Sequence, residues 1–467
     1  MAPVALQLYD TRTRSVRPFE PLRAGEAGLY VCGPTVQSGP HVGHLRVAVA
    51  FDILRRWLTT SGYAVTLVRN VTDIDDKIIA NARAAGTTPW ALAERYTREF
   101  NAAYDAVGVL PPTVEPRATA HVPEMVALMR RLVDAGAGYE SGGSVWFSVA
   151  SLPSYGTLSG QRPDAVQPSP EADAGKRDPR DFALWKAARP GEPTWDTPWG
   201  PGRPGWHLEC SAMAGKYLGE QFDIHGAGID LVFPHHENER AQTVRAAEAA
   251  GACGETAEMA RWWVHAGLLT TAGEKMSKSV GNVFLAADAL AAARPQVLRY
   301  ALASARYRSG LEYGPDTLVE AASAYERLET FVRSVPGEPG VDEPAAVWDQ
   351  FAAAMDDDLA VSRALAVVFG AVSSGNRASD AERAGWGGVV RRMLAVLGLD
   401  PVSQWPAADA ALGPVLDAVV QVALDARSHA RAQKDYAASD AIRDRLAAAG
   451  VVVEDAAGGQ RWHLAVR

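Results

Sequence analysis

The feature that most constrains this chain is an apolar strand that runs through a short loop into a long amphipathic helix, with a second apolar strand directly behind it. Residues Gly28–Gly33 (GLYVCG) form a short apolar run cut off by Gly33-Pro34, the pattern of a buried strand ending in a turn. After the loop, Leu45, Val49, Ile53 and Trp57 recur at helical spacing, and Val47, Phe51, Leu54 and Leu58 widen the apolar face. Gly62 ends the helix, and Ala64–Val71 (AVTLVRNV) supplies the next strand. Two strands joined by a crossover helix pair in parallel, so the chain is expected to begin as an α/β unit of nucleotide-binding type.

That unit fills only the first part of 467 residues, a length that at ~100–200 residues per domain accommodates two to four folded units. Hydrophobic residues at 48% and charged residues at 22% exclude a mostly disordered chain. The net charge of −9 makes any nucleic-acid surface a local patch. No apolar run reaches the ~18–20 residues of a membrane span, and the N-terminus lacks the apolar core of a signal peptide. A cytoplasmic protein without membrane attachment is expected. Three cysteines, Cys32, Cys210 and Cys253, are too few for a disulfide framework.

Between Ser151 and Gly205 the chain is rich in Pro, Gly and charge, including KRDPRD at Lys176–Asp181, which argues against regular helix. Because α/β character resumes at Phe222–Gly226 and Leu231–Phe233, this stretch reads as an insertion in a discontinuous first domain. Asp316–Val335 and Ala345–Leu399 are Ala/Leu-rich at helical spacing, separated by PGEPGVDEP, and fit a helical bundle. Beyond Pro406–Pro414, a helix-like Val415–Ala449 leads into VVVED and QRWHL, a small mixed terminal domain.

Three constellations carry chemistry. His41-Val42-Gly43-His44 lies at the start of the first helix, where unpaired N–H groups and the helix dipole favour a phosphate and glycine allows close approach. Lys275-Met276-Ser277-Lys278-Ser279 places two lysines three apart in a loop, able to grip a triphosphate and follow its charge as pyrophosphate leaves. For HVGH alone a polar loop is the better reading, and KMSKS alone is a weak signal that also fits a solvated basic loop. Together, in this order on an α/β scaffold, they point to adenylate chemistry. The third constellation is Cys32, Cys210 and His235-His236-Glu237-Asn238-Glu239. If Pro234 opens a helix, His235 and Glu239 share one face and with the two distant thiols can close a tetrahedron suited to zinc. The competing reading is two buried cysteines and a surface HHENE turn. Cys253, in GACGET, has no such neighbours and is assigned no role.

With these in hand, the chain resembles the cysteinyl-tRNA synthetases, a class I aminoacyl-tRNA synthetase family, over essentially its whole length. The matching segments are CGPTVQSGPHVGH (Cys32–His44), NVTDIDDKII (Asn70–Ile79), EPRATAH (Glu115–His121), PGEPTWDTPWGPGRPGWHLECSAM (Pro190–Met213), DIHGAGIDLVFPHHENE (Asp223–Glu239) and GEKMSKSVGN (Gly273–Asn282). HVGH replaces the commoner HIGH, and Gly226-Ala227-Gly228 stands where three glycines are usual. The resemblance implies a Rossmann catalytic domain at 1–120 and 205–254 split by a connective insertion at 121–204. It further implies a stem-contact region with the KMSKS loop at 255–312, a helical bundle at 313–405 and an anticodon-binding domain at 406–467. It also implies metal ligands Cys32, Cys210, His235 and Glu239, one zinc per chain, and His41, Gly43, His44, Asp230 and Lys278 around ATP. Catalytic roles fall to His41, His44, Lys275 and Lys278, and Thr72, Trp206 and His225 line the amino-acid pocket.

The expected reaction is ATP-dependent ligation of L-cysteine to tRNA(Cys), with magnesium sharing the phosphate charge and the chain acting as a monomer. Shape alone separates cysteine from serine by only ~10–200-fold, whereas a zinc ion takes up a sulfur ligand and leaves an alcohol protonated. Two alternatives share the fold or part of it. One is a cysteine ligase of mycothiol synthesis, acting on an amino sugar; Glu239 and the long C-terminal region argue against it. The other is a non-catalytic tRNA-binding paralogue, which should have lost motif residues. The basic residues Arg427, Arg431, Lys434, Arg443 and Arg445 sit among Asp435, Asp440 and Asp444 and read equally as RNA contacts or as a salt-bridged helix face.

Overall fold

The apolar runs at Glu26–Val31, Ala64–Arg69, Phe222–Gly228 and Ala260–Ala266 form one parallel sheet in the order fourth, third, first, second. In the computed structural model the described residues are 6–161, 175–271, 273–275, 283–335, 338–403, 405, 412–456 and 459–464. Alternate side chains of the sheet enter two different cores. Leu29 and Trp262 face one, Tyr30 and Trp263 the other. The helix Val42–Thr60 crosses between the first two strands and buries Leu45, Val49, Phe51, Ile53 and Trp57 against the first face. Helices Val122–Asp134, Trp206–Leu218 and Glu237–Ala249 contribute Met129, Cys210 and Val244 to the second.

The bundle helices Pro315–Ser334, Ala345–Met355, Val361–Arg377 and Asp380–Leu397 do not build a separate core. Tyr325, Phe331, Met355, Leu365 and Met393 pack in one cluster with Val49, Phe51 and Leu54 of the first helix. Arg299, fully buried on the helix Pro295–Ala303, pins this seam through Asp52 of that first helix. The terminal unit differs. Its helices Leu412–Ala432 and Tyr436–Ala448 and the hairpin Val451–Ala456/Gly459–Leu464 close a small core of Val420, Leu424 and Val451.

The insertion holds no α-helix among its described residues from Ser151 to Gly205, yet it is not irregular. Gly138–Ser141, Ser144–Phe147, Phe182–Ala187 and Gly202–Pro204 form an antiparallel sheet closed by Phe147, Phe182 and Trp185. The expected helix start at Pro234 holds: Phe233 is extended (φ −138°, ψ 133°), the backbone of a residue that precedes a helix, helical chain then runs without break into Glu237–Ala249, and His235 and Glu239 share one face with His235 Nε2 2.9 Å from Glu239 Oε1. One expectation is corrected. Val415–Ala449 is two helices, because Lys434 turns left-handed (φ 62°) and the Asp435 side chain caps the second by accepting from the Ala438 N–H at 3.0 Å. Among the described residues no helix is long and apolar enough to cross a membrane.

Candidate active site and metal centre

All four strands of the parallel sheet end on one edge, and the loops that follow them line a cleft of about 310 Å³. Ligands of open α/β sheets lie at this edge. Its wall includes Cys32, His41, Gly43, His44, Arg69, Trp206, Asp230 and Leu269. His41 is the extended N-cap of the first helix (φ −117°, ψ 166°). Its Nδ1 accepts from the Gly43 N–H at 3.1 Å, and its own N–H donates to Nδ1 of His44 at 3.1 Å. Two acceptor Nδ1 atoms put the proton of each neutral ring on Nε2, so both imidazoles are donors at the far edge. The rings stack at 3.7 Å. This sharpens the helix end as an anion site. Asp230 is exposed at the cleft on the turn Ile229–Leu231 behind the third strand. Lys275 ends a two-residue strand pairing with Leu269–Thr271, and Lys278 lies outside the described residues.

At the floor of the cleft, donor atoms of Cys32, Cys210, His235 and Glu239 lie within 4.8 Å of one another. They come from the loop after the first strand, the helix Trp206–Leu218 and the first turns of the helical chain that begins at Pro234. Every residue of HHENE is buried, so a surface turn is excluded. The spacing fits a metal. Zinc–sulfur bonds of about 2.3 Å in a tetrahedron demand a sulfur–sulfur edge of about 3.8 Å and a sulfur–oxygen edge of about 3.6 Å. Cys32 and Cys210 are 3.8 Å apart, and Cys32 Sγ is 3.6 Å from Glu239 Oε1. A second set, Cys32, His225, His236 and Glu239, also converges. It offers one thiol where the first set offers two, and thiolates are the stronger zinc ligands.

The electrostatics show what a cation would replace. Burial raises the Cys210 thiol, but hydrogen bonds from Cys32 and His235 outweigh it and bring Cys210 to about 6. Burial and Cys210 together push Cys32 well above the ordinary thiol range. Burial likewise opposes ionisation of Glu239 and His235, yet their mutual attraction wins, aided at Glu239 by His225, so Glu239 falls to about 2 and His235 rises to about 10. Two thiols, a carboxylate and an imidazole crowded out of water hold each other through protons that a divalent cation displaces.

The expected amino-acid pocket residues separate. Trp206 lines the cleft and stacks on His235 with centroids 4.2 Å apart. Thr72 is buried behind it and bonded to Asn70. His225 is fully buried under the metal ligands, where Nε2 meets Glu239 Oε2 at 3.0 Å and the ring stacks on Trp263. Sequence reasoning missed the layer around the cluster: His207 against His235 at 2.9 Å, and His236, His265 and Thr11 in a chain of hydrogen bonds. The adjacent pairs Trp206-His207 and His235-His236 were its only trace. Cys253 is exposed and stands before a short turn away from the cluster. The basic residues of the terminal unit differ in exposure. Arg427 is buried, and Arg443 pairs with Asp440 at 3.3 Å and Asp444 at 3.7 Å, while Arg431, Lys434 and Arg445 are exposed.

Comparison with known proteins adds three family matches. Residues 18–323 match the tRNA synthetases class I (C) catalytic domain, 350–399 a DALR domain and 413–462 the cysteinyl-tRNA ligase anticodon binding domain. A cysteine–tRNA ligase of Frankia casuarinae is 58% identical, the alignment covering 99% of this chain and 100% of that protein. One of Streptomyces griseus is 52% identical over 99% and 100%. Among solved structures, Mycobacterium tuberculosis methionyl-tRNA synthetase with methionyl-adenylate aligns at TM-score 0.55 and 18% identity, covering 80% of this chain and 92% of that one. An Agrobacterium radiobacter LeuRS in a ternary complex with tRNA and LeuAMS aligns at TM-score 0.58 and 11% identity over 83% and 87%. These two are likenesses of fold.

Proposed function

The chain belongs to the cysteinyl-tRNA synthetase family of class I aminoacyl-tRNA synthetases, and from that premise we propose how its own residues divide the work. The enzyme ligates cysteine to tRNA(Cys) at the expense of ATP. The observation that supports the division is one cleft containing both a histidine-capped helix end and a buried four-donor cluster.

In the first step the cysteine carboxylate attacks the α-phosphate of ATP and pyrophosphate leaves. No general base is needed, because the nucleophile is already ionised, so catalysis consists of positioning and charge stabilisation. His41 and His44 donate from Nε2 to phosphoryl oxygens, Gly43 allows their approach to the helix end, and Asp230 accepts from a ribose hydroxyl. Lys275 and Lys278 take the charge that builds on the leaving pyrophosphate, and magnesium accompanies the triphosphate. Trp206, Thr72 and His225 shape the amino-acid pocket. In the second step a ribose hydroxyl of the terminal tRNA adenosine attacks the acyl carbon and AMP departs.

Cys32, Cys210, His235 and Glu239 hold one zinc per chain, which when bound separates a thiol substrate from a hydroxyl one. The domain limits given above, a monomeric state and a cytoplasmic location complete the reading. The match of residues 413–462 to an anticodon-binding domain favours tRNA over an amino sugar as acceptor. Two measurements test the reading. Charging of total tRNA should occur with cysteine and not with serine, with no transfer to an amino-sugar acceptor. Metal analysis should find about one zinc per chain, lost in Cys210→Ser and kept in Cys253→Ser; stoichiometric zinc in Cys210→Ser refutes the ligand set.

A further inference from the structure

The helix that opens with His41 and His44 carries a guanidinium two residues further on, inside the protein. Arg46 is 2% exposed, and among the described residues no carboxylate pairs with it. Its partners are four backbone carbonyls. Nη1 donates to that of Leu302 at 2.8 Å, in the last turn of the helix Pro295–Ala303. Nη2 is shared among those of Ser309 at 2.9 Å, Arg306 at 3.2 Å and Tyr307 at 3.4 Å. A guanidinium without a carboxylate is costly to bury. What it contributes is placement, because one rigid fork fixes a helix end and the turn that follows it.

That turn, Arg306–Ser309, is the backing of the cleft wall. The Tyr307 carbonyl, which Arg46 reaches, also accepts the Gly267 N–H at 2.8 Å, and a Cβ on Gly267 would lie 2.3 Å from the Ser309 carbonyl oxygen. The two backbones are in direct contact. Beyond the turn, the Leu311 N–H donates to the Leu268 carbonyl at 3.0 Å, and Leu311–Glu312 pairs in parallel with Leu269–Thr270, on the strand against which Glu274–Lys275 lies. Gly267, Leu268 and Leu269 line the cleft, as do His44, Val47 and Ala48 of the helix that carries Arg46. From the bundle side the same turn is held by Asp358, 1% exposed, whose Oδ1 accepts from the Tyr307 hydroxyl at 2.8 Å and whose Oδ2 accepts from Arg308 Nε at 2.6 Å. Asp358 and Leu359 are both left-handed (φ 52° and 49°), a backbone that L residues rarely adopt. The turn is thus gripped twice, by the helix of the cleft and by the bundle.

We propose that Arg46 is a positioning residue for the ATP step: through the Arg306–Ser309 turn it fixes the gap between the histidine-capped helix end and the Gly267–Leu269 wall. The assignment rests on the reading of this cleft as the ATP site and goes beyond it by naming what holds its two sides in register. The metal-ligand cluster is held independently. Cys210 packs in the core that contains Tyr30 and Trp263, on one face of the sheet, whereas Leu302 and Tyr307 pack in the core with Leu29 and Trp262, on the other. Loosening the turn therefore spoils the use of ATP and spares the recognition of cysteine. Because Asp358 still tethers the turn to the bundle, the fold survives the loss of Arg46.

The test follows ATP–pyrophosphate exchange by the full-length zinc-loaded enzyme, with ATP and cysteine varied in turn, for the parent and for Arg46→Met, Arg46→Lys, His44→Ala and Met393→Ala. Met393 is buried in the bundle, and its truncation lowers stability without touching the turn. Thermal melts and bound zinc are recorded for every variant. Arg46→Met should lower kcat/KM for ATP roughly 10- to 100-fold, the scale for reacting groups misplaced by about 1 Å, and leave KM for cysteine unchanged. Arg46→Lys, which keeps the charge and loses the fork, should fall between parent and Arg46→Met, and it decides the matter if Arg46→Met does not fold. An equal rise in KM for both substrates, or an ATP defect of the same size in Met393→Ala, makes Arg46 a residue of stability alone and overturns the proposal. Unchanged kcat/KM for ATP in folded Arg46→Met overturns it too. If His44→Ala leaves the use of ATP intact, the cleft reading itself fails; if His44→Ala impairs it and Arg46→Met does not, only the placement role of Arg46 falls.

Discussion

Asp52 is the residue on which the junction between the phosphate-binding helix and the bundle depends. Its side chain is 1% exposed and receives three donors. Oδ1 accepts from the Leu110 N–H at 2.9 Å, and Oδ2 from Arg56 Nε at 2.7 Å and from Nη2 of Arg299. Arg299 is fully buried and, among the described residues, its other bonds go to the carbonyls of Leu397 and Val107, at 2.9 and 3.0 Å. In Asp52→Asn the shape is kept and the charge is lost. Because three donors converge on one acceptor oxygen and an NH₂, either amide orientation sets an N–H against an N–H. Breaking a buried pair from one side costs about 3–5 kcal/mol. At about 2–4 °C per kcal/mol for a unit of this size, the melting midpoint at pH 7 should fall by about 6–20 °C. The sign with pH follows from the same contacts. Burial raises the Asp52 carboxyl, but Arg299, Arg56 and the Leu110 N–H together hold it below the ordinary range. Its stabilisation is therefore complete above the unfolded value of about 4 and is lost as pH falls through the depressed folded value. The gap between parent and variant should close in acid. Differential scanning fluorimetry from pH 3 to 8 measures it, with Asp52→Asn/Arg299→Met as control, since removing both charges should recover much of the loss. A single variant melting within about 2 °C of the parent at pH 7, where about 6 °C or more is expected, would falsify the reasoning.

Three further outcomes are expected. Gly226→Ala should cost about 1–3 kcal/mol, because its Cβ would stand 2.2 Å from the Phe51 ring; an unchanged urea midpoint contradicts it. Lys278→Ala should slow pyrophosphate exchange far more than it raises KM for cysteine, since its charge matters most as pyrophosphate leaves; a defect confined to cysteine binding shows the lysine misassigned. A chain ending at Trp405 should keep cysteine-dependent exchange and lose efficient tRNA charging, because the terminal unit has its own small core; circular dichroism and zinc content check folding, and undiminished charging refutes the anticodon role.

Local structure in this chain was written in local pattern. The apolar run before Gly33, the wide face from Leu45 to Leu58 and the breaker Gly62 dictate strand, helix and strand, because each depends only on neighbours within a turn or two. Family membership was equally legible, since motif residues are identities rather than distances. Other features depended on packing. The insertion sheet escaped notice because its strands are short, separated by Pro- and Gly-rich chain, and held by one another through Trp146, Phe182 and Trp185. The break of Val415–Ala449 into two helices turns on Lys434 taking a left-handed backbone, for which its residue type gave no signal. The merging of bundle and catalytic cores, the inward turn of Arg427 and the histidine layer beneath Glu239 carry no periodic signal. They arise where segments distant in sequence meet. The four cluster residues were nameable one by one. Their mutual distances, and the contacts of Asn70 with Gly33, Cys210 and Thr72, exist only because the sheet order sets the first strand between the second and the third. Sequence determines which donors the chain possesses. Long-range strand pairing decides which of them share a water-free volume, and there burial and mutual charge fix the states that chemistry can use.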